Sequence, residues 1–82
     1  ELNFVVSDAS NCLQGVKVLL SGEATSIDEL DGLSMSFENW RFNLRRSNTE
    51  PLVRLNIETR GDQSLLIEKT KELKALIIRD NV

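Results

Sequence analysis

The stretch "LSMSFENWRFNLRRSNTEPLVRLNIETR", residues 33–60, decides the fold of this 82-residue chain. Leu33, Met35 and Phe37 alternate with Ser34, Ser36 and Glu38. After Glu38-Asn39, Trp40, Phe42 and Leu44 alternate with Arg41, Asn43 and Arg45. A period of two buries one side of a strand and wets the other, so the pattern predicts a hairpin with a two-residue link. A third strand follows, with Val53, Leu55 and Ile57 in one phase and Leu52, Arg54, Asn56 and Glu58 in the other. Pro51 fits there only as the first strand residue, because proline has no N–H to give a ladder.

Working outward, "LNFVV" (2–6) reads as a short strand, and "ATSIDEL" (24–30) as a short edge strand followed by an Asp31-Gly32 turn. Between them Asp8 is placed to cap a helix over about 9–20, with Cys12, Val16, Leu19 and Leu20 on one face and Gly22 placed to end it. Gly61-Asp62 breaks the third strand and opens a final helix over about 63–79. Its inner stripe is Leu66, Thr70, Leu73 and Ile77, widened by Leu65, Leu76 and Ile78, and the closing "RDNV" is expected to fray. Strand, helix, strands, helix predicts an α+β fold: an antiparallel sheet of about four strands with two helices on one face. Residues 1–82 read as a single domain.

Composition narrows the function. Hydrophobic residues make up 40% and charged residues 28%, which suits a packed domain. No apolar run approaches a membrane span and no basic, cleavable leader opens the chain, so we expect no membrane partner. The missing initiating Met leads us to expect a fragment or a processed product. The lone Cys12 fits a reducing compartment, hence a cytoplasmic location, and a core packing role. With no histidine, a Ser-His-Asp triad, a Cys-His pair and a histidine zinc site are all excluded within this chain. The net charge of −3 argues against a general nucleic-acid binder. Residues 1–40 carry seven carboxylates and one lysine, whereas residues 41–60 carry five arginines and two glutamates.

Those arginines flank Ser47-Asn48-Thr49-Glu50. Two hydroxyls, an amide and backbone N–H groups beside a guanidinium suit a phosphate, and asparagine tolerates the left-handed backbone of an anion nest. A plain hairpin turn with solvated arginines explains the same residues. Arg45 closes the entering strand on the face opposite Trp40, Phe42 and Leu44. Arg46 is expected to be exposed, and Arg41, Arg54 and Arg60 to face solvent or pair with Glu across strands. Glu50 reads as an acceptor for loop N–H groups or a partner for an Arg, and Trp40, in phase with Phe42, as core.

Arg45-Arg46-Ser47-Asn48-Thr49-Glu50-Pro51 resembles the Arg-x-Ser-(Gly/Asn)-Thr-Glu-Pro phosphate loop of the α-D-phosphohexomutases. The wider "DELDGLSMSFENWRFNLRRSNTEPLVRLNIETR" (28–60) is similar to the C-terminal, fourth domain of their phosphomannomutase/phosphoglucomutase branch. The resemblance implies a four-domain enzyme that interconverts hexose 6-phosphate and hexose 1-phosphate through a phosphoserine on another domain, with Mg²⁺ also held elsewhere. It implies that this domain holds the non-reacting phosphate of mannose or glucose 1- or 6-phosphate through Arg45, Ser47, Asn48 and Thr49. No catalytic residue, metal ligand or cofactor is then expected on this chain, which alone would be inactive, and its partners would be the sugar phosphate and the enzyme's other domains. A stand-alone phosphate-ligand module or a protein-interaction module are the alternatives.

Overall fold

A computed structural model describes residues 1–80 of the chain. Its elements are β1 (Leu2–Val5), α1 (Ala9–Leu20), β2 (Ser26–Asp28), β3 (Leu33–Ser36), β4 (Trp40–Arg46), β5 (Leu52–Thr59) and α2 (Gln63–Asp80). The strands form one antiparallel sheet in the order β1-β5-β4-β3-β2. The α+β class stands as read, with five strands in place of about four. After β1 the chain crosses by way of α1 to the far edge, then meanders back until β5 lies beside β1.

The period-two phases sort the residues. Leu33, Met35, Phe42, Leu44, Val53 and Leu55 are buried on the helix-covered face, with Cys12 and Val16 of α1 and Leu73 and Ile77 of α2 above them. The opposite face carries Arg41 against Glu58, Asn43 against Asn56, and Arg45 against Arg54. Phe37 donates its N–H to the Trp40 carbonyl at 2.8 Å, closing the link Glu38-Asn39. Trp40 stacks on Phe37 with ring centroids 4.3 Å apart, and Lys69 of α2 lies 5.1 Å above the Trp40 ring. Trp40 is therefore packing at the core's margin.

Local signals behave as their chemistry demands. The Asp8 carboxylate accepts from Asn11 N at 3.0 Å and the Asp62 carboxylate from Leu65 N at 2.9 Å, each satisfying an orphan donor at a helix start. Four expectations need correction. α1 ends at Ser21 in right-handed conformation, its N–H bonded to the Lys17 carbonyl, while Gly22 has no positive φ and so is not a left-handed cap. Leu19 and Ile78 are half-exposed, because each lies beyond the narrow stripe that faces the sheet. Pro51 sits just before β5 instead of in it, and its carbonyl accepts from Val6 N at 2.9 Å. Arg79 and Asp80 continue α2 where fraying was expected, and the rest of that tail, Asn81 and Val82, lies outside the described residues.

Replacing Phe42, 1% exposed, by Ala is expected to cost about 3–5 kcal/mol in urea unfolding, the usual range for truncating a buried aromatic. Asp8→Ala is expected to cost only about 1 kcal/mol through the lost cap.

Candidate functional site

The β4–β5 connection is short because its ends are tied. Ser47 N donates to the Leu52 carbonyl at 3.0 Å, so the register continues Arg46 against Val53 and Arg45 against Arg54. Between them Ser47 folds the loop. Its Oγ accepts from Thr49 N and Glu50 N, each at 3.3 Å, the pattern of a serine turn. Two backbone donors thus converge on one point beside a hydroxyl.

This differs in two respects from what the residue types suggested. No non-glycine residue among those described has a positive φ, so a left-handed Asn48 does not shape the loop; the serine turn does it with ordinary dihedrals. The Ser47 hydroxyl, not the Glu50 carboxylate, takes the loop N–H groups, because a short side chain two or three residues upstream reaches them without bending back. Glu50 contributes its carbonyl, which accepts from Leu52 N at 2.8 Å.

Arg45, Ser47, Asn48 and Thr49 all line one open depression of about 670 Å³. Arg45 is half-buried, and its Nη1 donates to Asp31 Oδ2 at 3.4 Å. Arg46 is exposed as expected but not idle. It falls in the phase of Phe42 and Leu44, passes the sheet end on the helix side, and donates to Ser10 Oγ of α1 at 2.7 Å. That bond fastens the residue entering the loop to the start of α1.

Arg54 lies on the open face, as its phase requires, but it is neither fully solvent-facing nor set against a cross-strand Glu. It is half-buried, lines the same depression, and its Nε is buried with no hydrogen-bond partner among the described residues. It also stands directly across from Arg45. Like charges in that arrangement destabilise a sheet, and a buried unsatisfied donor costs roughly 1–3 kcal/mol. The feature that could have exposed it is arithmetic: Arg45 and Arg54 are equidistant from the paired Ser47 and Leu52, so a hairpin must set them side by side.

Two guanidiniums, two hydroxyls and an amide can take a compact oxyanion, with the arginines supplying charge and the Ser47 turn, held by its own N–H bonds, fixing the shorter donors. Among the described residues no three His, Cys, Asp or Glu side chains gather as a metal site requires. No helix of the described residues is long and apolar enough to cross a membrane.

The chain is similar to known proteins over most of its length. The family profile described as "Phosphoglucomutase/phosphomannomutase, C-terminal domain" matches residues 1–76. A "Phosphomannomutase" of Salmonella montevideo is 48% identical over 77 residues, covering 94% of this chain and 17% of the relative. "Phosphohexose mutases" of Xanthomonas campestris pv. campestris (strain B100) are 48% identical over the same shares, and the "Phosphomannomutase" of Escherichia coli (strain K12) is 46% identical. The chain thus spans 17% of the length of these curated relatives.

Arg54→Met keeps the apolar stem and removes the opposed charge. It is expected to raise stability by roughly 0.5–1 kcal/mol in urea unfolding while abolishing any stabilisation of the chain by added inorganic phosphate. A loss of stability with phosphate stabilisation intact would mean that Arg54 serves the sheet and not an anion.

Proposed function

The chain belongs to the phosphoglucomutase/phosphomannomutase family as its C-terminal domain, and from that premise we propose that it holds the non-reacting phosphate of a hexose phosphate. The observation that carries the reading is the opposed pair Arg45 and Arg54 beside the Ser47 turn, since a sheet tolerates that repulsion at a cost that a bound dianion offsets. Residues 1–82 are the substrate-phosphate-binding domain in this reading. The parent enzyme interconverts hexose 6-phosphate and hexose 1-phosphate through a phosphoserine on another domain. The sugar is mannose or glucose phosphate, and the lone thiol of Cys12 suits a cytoplasmic enzyme.

Each residue then has a distinct task. Arg45 and Arg54 neutralise the phosphate from the open face of the sheet. Ser47 and Thr49 offer hydroxyls and Asn48 its amide, so the phosphate oxygens exchange their hydration for fixed protein donors. Arg46 reaches Ser10 instead, keeping the loop fixed to α1. None of these groups moves a proton or forms a covalent bond. Their contribution is to fix one end of the sugar so that the other lies in line with the reacting serine, which converts binding energy into orientation. Mg²⁺, when bound on another domain, would supply charge neutralisation at the reacting phosphate.

In the full-length enzyme Arg45→Ala is expected to raise KM and lower kcat/KM by about one to three powers of ten, given charge-assisted bonds worth roughly 1.5–3 kcal/mol. Steady-state kinetics with glucose 1-phosphate and mannose 1-phosphate check this. Kinetics indistinguishable from the parent enzyme would sink the assignment.

A further inference from the structure

Resting on the phosphate-holding role just proposed, we infer that the Asp31-Gly32 turn is the positioning device for Arg45, and that Asp31 and Gly32 act on substrate affinity only through that guanidinium. The turn lies on the far side of Arg45 from Arg54, across the edge of β4.

Gly32 is the first half of the device. Its φ is +75°, a conformation that L side chains rarely adopt. A Cβ there would stand 2.7 Å from Arg45 Cγ, 2.7 Å from the Leu44 carbonyl oxygen and 3.0 Å from Arg45 Cα. The stem of Arg45 therefore lies against bare backbone, in space that exists only because residue 32 has no side chain. The close approach to Leu44 O and Arg45 Cα involves backbone, which cannot swing aside as a flexible chain end would.

Asp31 is the second half. Its carboxylate meets Arg45 Nη1 at 3.4 Å, a single contact at the rim of the depression. A guanidinium has five N–H donors in a rigid plane, so one contact orients the plane and leaves most donors for a ligand. A bidentate grip would have consumed the fork that a phosphate needs.

The turn is itself anchored independently of Arg45. Asn43, two residues earlier on the same face, donates from its amide nitrogen to the Asp31 carbonyl at 3.0 Å and to Ser34 Oγ at 2.9 Å. Asp28 accepts from Leu30 N at 2.8 Å, tightening the preceding residues. Lys17 of α1 pairs with Glu29 at 2.9 Å, fixing the same segment to the helix layer. Asn43, Asp28 and Lys17 thus hold a turn whose side chain and bare backbone both face one arginine. Restricting that arginine before the ligand arrives reduces the rotamer freedom lost on binding.

A double-mutant cycle in the full-length enzyme tests this. Asp31→Asn is expected to raise KM for glucose 1-phosphate roughly twofold to fivefold, the scale of an exposed ion pair, with kcat within about twofold of the parent. Gly32→Ala should raise KM by about tenfold or more, and its thermal midpoint separates misfolding from misplacement. In an Arg45→Ala background Asp31→Asn should have no further effect on KM. A lowered KM in Asp31→Asn would mean that the carboxylate competes with the phosphate, and would overturn the inference. So would an unchanged KM, or an equal rise in the Arg45→Ala background. Unchanged kinetics in Arg45→Ala alone would instead remove the phosphate-holding role underneath.

Discussion

The pairing of β4 with β5 is the constraint on which the rest depends. Its register sets Leu44 against Leu55 on the covered face and Arg45 against Arg54 on the open one. Because side chains alternate with a period of two, the two outcomes cannot be separated. A slip of one residue would carry leucines into water and arginines under the helices. The hydrophobic core thus enforces the arginine pair, and a repulsive contact persists because burial of Phe42, Leu44, Val53 and Leu55 outweighs it.

The same register explains the loop. With Ser47 N bonded to Leu52 O, only a few residues remain to reverse the chain, and the Ser47 hydroxyl gathers the Thr49 and Glu50 N–H groups. Arg46, thrown to the helix side by the alternation, reaches Ser10. On the other flank the Asp31-Gly32 turn meets Arg45. The loop is held from α1, from β5 and from the β2–β3 connection, which suits the phosphate-holding role proposed for it.

Much of this was legible in the residues. The α+β class, the bounds of α1 and the caps at Asp8 and Asp62 follow from periodicity and side-chain chemistry acting over a few residues. The choice of Arg45, Ser47, Asn48 and Thr49 rested mainly on the resemblance, and the chain brings those four to one depression. What was missed shares a cause. Arg54 looked like one more solvated arginine, Asp31-Gly32 like an ordinary turn, and Gly22 like a helix stop. Each was judged by its neighbours in sequence.

By itself the sequence determined which side of β3, β4 and β5 is buried, where the helices begin and which family the chain resembles. These depend on contacts within a few residues or on motif identity. Only the tertiary structure decided that Arg54 opposes Arg45, that Arg46 crosses to α1, and that Gly32, on a different strand connection, makes room for the stem of Arg45. The first needs the register of the β4–β5 hairpin, and the other two join residues far apart in the chain. Their distances exist only once the sheet register and helix placement are set, and the buried side chains, not the polar ones, set both.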